Sequence, residues 1–241
     1  MPPSVEQVLQ RLHGVYGELR WRPHHDPISE LVLTILSQHT ADRASGRAFA
    51  ELLATFPDWD AIREAEPAAI ARAVKWAGLS EMKAPRIKAV LERVRAERGG
   101  YNLDFLGDPA LPLDQARAWL MALPGVGPKT AACVLMFALG RPALPVDTHV
   151  YRVGQRLGFI PPKMSADKAH AHLEARVPEA QVYAFHVGLI KHGRHVCYAQ
   201  KPNCTGCVLN DLCPSAFSFG TAPCTAPIAT AADDAALPPD A

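Results

Sequence analysis

The chain lacks the features that mark membrane and secreted proteins. No apolar run approaches the ~18 residues that a membrane-spanning helix needs. Residues 1–7 carry neither the basic patch nor the apolar stretch of a secretory signal. We therefore expect a cytoplasmic protein with no membrane partner.

A strong charge of either sign is also missing. The chain has 25 Lys and Arg residues against 24 Asp and Glu residues, which gives a formal net charge of +1. Between Arg141 and Cys213 nine basic residues stand against five acidic ones. This mild local bias is compatible with phosphate contacts, but it fits an ordinary solvated surface equally well. Charge alone therefore identifies no partner.

The alternation of polar and apolar residues that is typical of β-strands is absent, and apolar residues recur at helical spacing instead. Ser4 and Gln7 have capping-box spacing, and Asp26-Pro27 is typical of a helix start. Ser80 is placed to cap a longer helix that ends at Gly99-Gly100. Further helices are expected at 112–122, 128–139, 147–157, 165–176 and 178–192. The predicted fold class is all-α.

The end of the chain differs in composition from the rest. Residues 215–241 are rich in Ala, Pro and Thr and contain few large apolar side chains. Such a segment buries too little apolar surface to offset the entropy of folding. We expect it to be disordered, and we expect Cys224 within it to be a free thiol.

A glycine-rich string, Leu-Pro-Gly-Val-Gly-Pro-Lys-Thr-Ala, occupies residues 123–131 between two predicted helices. Gly125 and Gly127 permit a sharp turn, and their missing side chains let a phosphate approach the backbone amides. Val126 can anchor the turn in the core. The string predicts a contact with the DNA backbone that does not read sequence. For the Gly-x-Gly step alone, an ordinary turn between packed helices is the alternative.

Lys129 lies one residue into the second of these helices, where the positive end of the helix dipole disfavours an ammonium group. We expect a lowered pKa there, so that more free amine is present near neutral pH. A lysine that only pairs with a phosphate is the simpler alternative. Asp147 follows 18 residues later in the segment Val-Asp-Thr-His, at the start of the next helix. Considered alone, Asp147 is an N-cap residue.

The cysteines are unevenly spaced, and a reducing compartment would not keep them as disulfides. Four of the six follow the pattern C-x6-C-x2-C-x5-C, namely Cys197, Cys204, Cys207 and Cys213. Four thiolates within 17 residues can bind one centre, either a zinc ion or an iron–sulfur cluster. Zinc ribbons usually pair two C-x2-C steps, and only one occurs here. Cys133 lies in an apolar helix and is expected to be a core thiol.

The string at 123–131, the segment at 146–149 and the cysteine spacing together resemble the endonuclease III family, over about residues 5–214. The resemblance implies a two-domain helix–hairpin–helix glycosylase fold with an active-site cleft between the domains. It implies a six-helix domain at 25–139 and an iron–sulfur domain built from 1–24 and 140–214. It also implies that Lys129 is the nucleophile, that Asp147 assists it, and that the four cysteines bind a [4Fe–4S] cluster.

Two further segments resemble DNA-contacting parts of that family. Residues 35–40, Ile-Leu-Ser-Gln-His-Thr, resemble the segment that fills the gap left by the extruded nucleotide. Alignment from Asp26-Pro27 puts His39 at the filling position and Gln38 one residue earlier, so both are candidates. Residues 77–84 resemble a loop in which Leu79 would be an apolar wedge and Lys83 would lie near a phosphate. The alternatives are a polar helix end for the first segment and a leucine that covers the core for the second.

The remaining expected DNA contacts lie in the hairpin and in the first cysteine loop. Lys191, Arg194 and Lys201 lie around that loop, where they could neutralise phosphates, offset the charge of a cluster or simply be solvated. The resemblance favours Lys201 as a backbone contact. The hairpin would contribute Gly125, Val126, Gly127 and Thr130.

The resemblance implies a bifunctional enzyme, a DNA glycosylase and AP lyase that removes oxidised pyrimidines and cleaves 3′ to the abasic site by β-elimination. Its partner would be double-stranded DNA with a damaged base or an abasic site, bound by a monomer that is associated with the nucleoid. Adenine-removing mismatch relatives carry a catalytic glutamate where this chain has Thr34, and Glu30, one turn earlier, does not substitute for it. The alternatives are a thymine–guanine mismatch glycosylase and a non-catalytic DNA-binding module.

Overall fold

The computed structural model describes residues 2–220, and every regular element in that range is helical. The predicted all-α fold class is thus confirmed. The α-helices are α1 (Val5–Tyr16), α2 (Pro27–Ser37), α3 (Asp42–Thr55), α4 (Trp59–Glu64), α5 (Pro67–Ala73), α6 (Ser80–Arg98), α7 (Leu113–Met121), α8 (Pro128–Cys133), α9 (Thr148–Arg156), α10 (Ala166–Glu174) and α11 (Val182–His195). Short 3-10 turns occupy Lys75–Ala77, Asp104–Gly107 and Glu179–Gln181, and a π-helical turn, Val134–Ala138, continues α8.

The chain forms two compact units. One is Arg22–Arg141, which we call the hairpin unit. The other combines residues 2–21 with residues 142–220, and we call it the cysteine unit. Residues 215–220, which we expected to be disordered, form turns at its end. Cys224 and the rest of the predicted disordered tail lie outside the described residues.

Helix α2 is the central helix of the hairpin unit. Its N-cap is Asp26, whose carboxylate accepts a hydrogen bond from the backbone N–H of Ser29 at 3.2 Å, and Pro27 stands at its first position. Four of its side chains are fully buried, namely Leu31, Val32, Ile35 and Leu36. Burial of each contributes about 1.5–3 kcal/mol. The helix packs against α3, α6, α8 and the π-helical turn, so it connects the hairpin to the rest of the unit.

The cysteine unit is organised around α11, which packs against α1 and α9. The predicted capping box opens α1, because Ser4 accepts from the N–H of Gln7 and Gln7 accepts from the N–H of Ser4. Val8 and Leu12 of α1 are fully buried. The unit therefore draws part of its core from the N-terminal segment of the chain.

Helix α6 begins differently from the prediction. Ser80 is its first residue and not its cap, because the N-cap position belongs to Leu79 and no side chain caps the helix there. Leu79 adopts the left-handed conformation with φ of 49°. The leucine side chain lies on the surface, 54% exposed.

None of the helices within residues 2–220 is both long and apolar enough to cross a lipid bilayer.

Candidate active site

The two glycines of the hairpin have different roles. Gly125 has φ of 72°, a left-handed conformation that favours glycine, and a Cβ atom there would collide with the side chain of Arg86. Gly127 is extended, with φ of −99°, and a Cβ atom there would meet nothing within 4 Å. Between them Val126 is buried and its N–H donates to the carbonyl of Leu123 at 3.2 Å. Gly125 is thus required by the fold, whereas Gly127 leaves open space beside the backbone.

Gln38 supports this hairpin from the end of α2. Its Nε2 donates to Thr130 Oγ1 at 3.2 Å and to the carbonyl of Gly125 at 3.5 Å. Its Oε1 accepts from Arg86 Nη1 at 2.5 Å. Both ends of the amide are therefore bonded within the hairpin unit. Arg86 was not among the predicted site residues, because nothing in the local sequence links it to a partner 48 residues away.

His39, one residue further on, is exposed and has a left-handed backbone with φ of 54°. Only four non-glycine residues in the described range have positive φ. Three of them, His39, Leu79 and Lys201, are residues that we expected to contact DNA. Such conformations cost about 1–3 kcal/mol each and cluster at functional sites. The fourth is Phe217, which is also exposed.

Lys83 does not occupy the position that we predicted. It is only 2% exposed, and its Nζ donates to the carbonyls of Leu36 and Ala77 and to Thr40 Oγ1 at 2.7–2.8 Å. Burial lowers the pKa of Lys83, and the charge of Arg86 lowers it further. The expected phosphate contact is contradicted, because all three ammonium protons are already donated to protein oxygens.

Lys129 is the second residue of α8 and is half-buried. The nearby helix α2 presents a buried carboxyl group, Glu30, to the same region. Burial raises the pKa of Glu30 to about 7, while a hydrogen bond from Thr34 and the charge of Lys129 act to lower it. Thr34 Oγ1 donates to Glu30 Oε1 at 3.3 Å. A carboxyl group and an amine thus influence each other in a low-dielectric environment.

Asp147 lies in the cysteine unit, where it is the N-cap of α9. Its Oδ1 accepts from the N–H of Val150 at 2.7 Å, and the side chain is half-buried. The cap bond holds the carboxylate in a fixed orientation.

The four cysteines of the predicted cluster are all half-buried and line one small cavity together with Arg156 and His192. Arg156 Nη1 donates to Cys197 Sγ at 3.2 Å, and His192 Nε2 lies 3.3 Å from Cys207 Sγ. Burial raises the pKa of Cys207 to about 12, and the charges of the other three cysteines add to the increase.

These thiols could ionise together only with a positively charged group among them. No trio of His, Cys, Asp or Glu in residues 2–220 is arranged to hold a single metal ion. A shared cavity, four sulfur ligands and nitrogen groups directed at sulfur are what an iron–sulfur cluster requires. The residues present therefore fit that group. Cys133, by contrast, is buried in the hairpin unit at 3% exposure.

Family models match two parts of the chain. Residues 32–179 match the HhH-GPD superfamily base excision DNA repair protein, and residues 197–213 match the iron–sulfur binding domain of endonuclease III. The second range begins at Cys197 and ends at Cys213, and both of these cysteines are predicted cluster ligands.

The similarities to related proteins and to solved structures agree with these family matches. A putative DNA glycosylase of Arabidopsis thaliana is 39% identical over 72% of this chain and 58% of its own length. Endonuclease III of Thermotoga maritima is 31% identical over 78% of this chain and 83% of its own length. A trapped endonuclease III–DNA covalent intermediate has 27% identity and a TM-score of 0.76, and covers 89% of this chain and 96% of its own. A thermostable thymine-DNA glycosylase has 25% identity and a TM-score of 0.70, with coverage of 89% and 95%.

The chain therefore belongs to the HhH-GPD superfamily of base excision DNA repair proteins, a superfamily of DNA glycosylases. Within that superfamily it is a member of the endonuclease III family, and its cofactor is a [4Fe–4S] cluster. The chain spans 58% of the length of the Arabidopsis glycosylase. It spans 13%, 9% and 12% of the Arabidopsis proteins DEMETER-like protein 2, DEMETER and DNA glycosylase/AP lyase ROS1.

Proposed function

We propose that this chain is a bifunctional DNA glycosylase and AP lyase that removes oxidised pyrimidines from duplex DNA. The observation that carries the proposal is the place of Lys129, which is half-buried at the second position of α8, directly after the left-handed turn at Gly125. An amine is required for lyase chemistry, because only an amine can form an imine with the opened sugar. No hydroxyl nucleophile or activated water could do so.

The proposed reaction starts with extrusion of the damaged nucleotide from the stack, at a cost of roughly a few kcal/mol. The free amine of Lys129 attacks C1′, and the bond from C1′ to the base nitrogen breaks with its electron pair leaving on the base. Asp147, held by its N-cap bond to Val150, stabilises the positive charge that develops on the sugar. The attached nitrogen loses a proton, and the C1′–O4′ bond then breaks with its electron pair taken by O4′, which is protonated, so that a Schiff base forms. β-Elimination follows: C2′ loses a proton and the 3′ phosphate leaves with the electron pair of its C–O bond, which breaks the strand on the 3′ side.

DNA would be bound through features of both units. The open backbone at Gly127 would accept a phosphate, and the exposed Leu79 would wedge into the base stack. Because the amide of Gln38 is already bonded on both sides, we assign the filling of the vacated gap to the exposed His39. Lys201, exposed with φ of 49°, would contact the backbone from the first cysteine loop.

Cys197, Cys204, Cys207 and Cys213 would bind the cluster. Its contribution when bound is to hold the loop of residues 197–213 in shape. Arg156 acts on the same loop, since it also donates to the carbonyls of Tyr198 and Ala199 at 2.7 and 2.9 Å. These contacts fix the first part of the loop, which carries Lys201.

The deciding test is borohydride trapping on a duplex with one thymine glycol, in which the native chain is compared with Lys129→Ala. We expect a covalent adduct in the native chain and none in the variant, with DNA binding kept within about threefold because a single cation is lost. Lys163→Ala, in a part of the chain that carries no proposed site residue, is the matched control and should trap normally. Base release without an adduct would contradict the lyase proposal. If the native chain binds the duplex but gives neither a covalent adduct nor a released base, a non-catalytic DNA-binding module would be favoured.

A thymine–guanine mismatch glycosylase is the second candidate, supported by the similarity to the thermostable thymine-DNA glycosylase. The same assay on a duplex with thymine opposite guanine separates the two. Faster single-turnover release from that duplex than from thymine glycol would replace the first candidate with the second.

A further inference from the structure

Two exposed residues of the hairpin unit have a left-handed backbone, and they lie on two different segments. His39 follows the C-terminal end of α2 with φ of 54°, and Leu79 precedes α6 with φ of 49°. A residue with a side chain keeps such a conformation only where its surroundings fix it. Since neither side chain is buried, packing in the core does not provide the support. The contacts of the neighbouring residues must therefore provide it.

Lys83 of α6 bonds both segments. On the α2 side its Nζ donates to the Leu36 carbonyl and to Thr40 Oγ1, at 2.7 Å each. On the other side Nζ donates to the Ala77 carbonyl at 2.8 Å. The backbone N–H of Lys83 also donates to the carbonyl of Leu79 at 3.0 Å. One residue thus bonds the two stretches of backbone that carry the exposed side chains.

The hydroxyl group of Thr40 joins the same two segments directly. Thr40 follows His39 in the chain, and Ala77 stands two residues before Leu79. Thr40 Oγ1 accepts from Lys83 Nζ and donates to the Ala77 carbonyl. Lys83, Thr40 and that carbonyl are thus bonded in a closed ring, in which each member contacts the other two. The ring constrains the distance between the two segments.

A lysine is an uncommon residue for this position, because it is only 2% exposed. Burial of a charged group is costly unless the group is hydrogen-bonded, and here all three ammonium protons are donated to oxygens. An apolar side chain of similar length would fill the same space without that cost. Packing therefore does not account for Lys83, whereas its bonds to both segments do.

We propose that Lys83 is a positioning residue that holds His39 and Leu79 in a fixed relation, so that both side chains enter the duplex together when a nucleotide leaves the stack. The inference rests on the proposed function, in which His39 fills the vacated gap and Leu79 is the wedge. Lys83 itself contacts neither the DNA nor the reacting atoms.

The substrate for which Lys83 matters follows from this role. Extrusion of a nucleotide from a duplex costs roughly a few kcal/mol, and the cost is least for a strand that is already single. Two side chains that enter a base stack offset part of that cost in a duplex. Loss of the ring should therefore slow the reaction on a duplex much more than on a single strand. Lower stability of the chain would instead slow both reactions by the same factor.

The test uses the full chain with its cluster and a preformed abasic site, placed in a duplex or in a single strand of the same sequence. Single-turnover trapping rates are compared for the native chain, Lys83→Met and the matched control Lys88→Met. Lys88 is a half-buried lysine of the same helix, and its Nζ donates to the carbonyls of Arg63 and Ala65 at 2.7 and 3.0 Å, outside both segments. For Lys83→Met we expect the ratio of duplex rate to single-strand rate to fall about tenfold. Lys88→Met should keep the native ratio.

A second readout does not depend on the lyase reaction. The fluorescence of 2-aminopurine opposite a tetrahydrofuran site reports unstacking of that base when the chain binds the duplex. We expect the fluorescence to rise with the native chain and with Lys88→Met, and to rise less than half as much at saturation with Lys83→Met. If the native chain gives no covalent adduct, the lyase proposal is overturned and this fluorescence decides the inference by itself.

Thr40 supplies a second pair of variants that leaves the lysine in place. Thr40→Val removes the hydroxyl group and should lower the ratio about threefold, whereas Thr40→Ser keeps the hydroxyl group and should restore the native ratio. Iron–sulfur absorbance per chain reports whether each variant is folded. Should Lys83→Met fail to fold, the two Thr40 variants decide, and equal ratios for them overturn the inference.

The remaining outcomes also decide. An unchanged ratio in Lys83→Met overturns the inference, and so does equal slowing on both substrates, which would make Lys83 a residue that only stabilises the fold. A ratio that falls equally in Lys88→Met overturns it as well. If the native chain traps and Lys129→Ala does not, any of these results leaves the proposed function intact.

Discussion

Buried polar side chains are satisfied differently in the hairpin unit and in the cysteine unit. In the hairpin unit Lys83 donates all three of its protons to protein oxygens, and the Gln38 amide is bonded on both sides. Around the cysteines, Arg156 and His192 face sulfur atoms. The hairpin is thus stabilised by the chain alone, whereas the cysteine loop is completed by its cofactor. Changes in the two units should have different consequences.

The largest difference is expected from Cys207→Ser. Loss of one ligand should release the cluster, because a cluster of this kind is held by four thiolates. Iron content should fall to background, and hydrogen exchange should accelerate in residues 197–213 while α2 and α6 keep their protection. The control is Cys133→Ala, which should keep the full iron content. Full iron content in Cys207→Ser would show that Cys207 is not a ligand.

Lys83→Met tests the internal network of the hairpin unit. The substitution leaves the carbonyl of Leu36 without its side-chain donor and the carbonyl of Ala77 with Thr40 Oγ1 as its remaining donor. We expect a loss of about 3 kcal/mol in the free energy of unfolding, measured with urea. The salt dependence of DNA binding should not change. Lys201→Ala should give the opposite result, with normal stability and a salt slope smaller by about 1. A reduced slope in Lys83→Met without loss of stability would restore the phosphate contact that we withdraw.

The pH dependence of stability tests Glu30. Its pKa of about 7 in the folded protein exceeds the ordinary glutamate value of 4.5, so the folded state binds more protons between these values. Stability contributed by the neutral acid is fully present below about pH 4.5 and is lost as the pH rises to about 7. Relative to Glu30→Gln, the native chain should lose about 3 kcal/mol over that window. Parallel stability curves for the two chains would contradict the assignment of a buried neutral acid.

The smallest expected effects separate the two hairpin glycines. Gly125→Ala should cost about 1–2 kcal/mol of stability, because its φ of 72° strains alanine and the new methyl group meets Arg86. Gly127→Ala should leave stability within about 0.5 kcal/mol and weaken DNA binding instead. Chemical denaturation and a binding titration on both variants check this. Equal stability losses would show that the two glycines do not differ in role.

Local features of the fold were predictable because their partners lie a few residues apart. Asp26, Ser4 and Asp147 are recognisable as N-caps from sequence alone, since each bonds an N–H three residues later. The start of α6 was predicted wrongly. Ser80 has the chemistry of a cap, but the left-handed backbone at Leu79 moves the helix start by one residue.

The contacts of the candidate site that could not be predicted from the sequence are made between residues that lie far apart in the chain. The partners of Lys83 include Leu36 and Thr40, and those of Gln38 include Arg86 and Thr130, all more than 40 residues away in sequence. A family resemblance assigns a lysine to a phosphate from its position, but burial decides whether its protons are available. For the same reason the coupling of Glu30 with Lys129 has no signature in the sequence.

Helix α9 has one further consequence. Its N-cap is Asp147, and its last residue is Arg156, whose guanidinium donates to Cys197 Sγ and to the next two carbonyls along the chain. Nine helical residues at 1.5 Å each form a rod of about 14 Å between the two side chains. The proposed catalytic carboxylate and the arginine that holds the cluster loop thus lie at the two ends of one helix. A change in the cluster loop that moves Arg156 would therefore act on the same helix that holds the Asp147 carboxylate at its N-terminus.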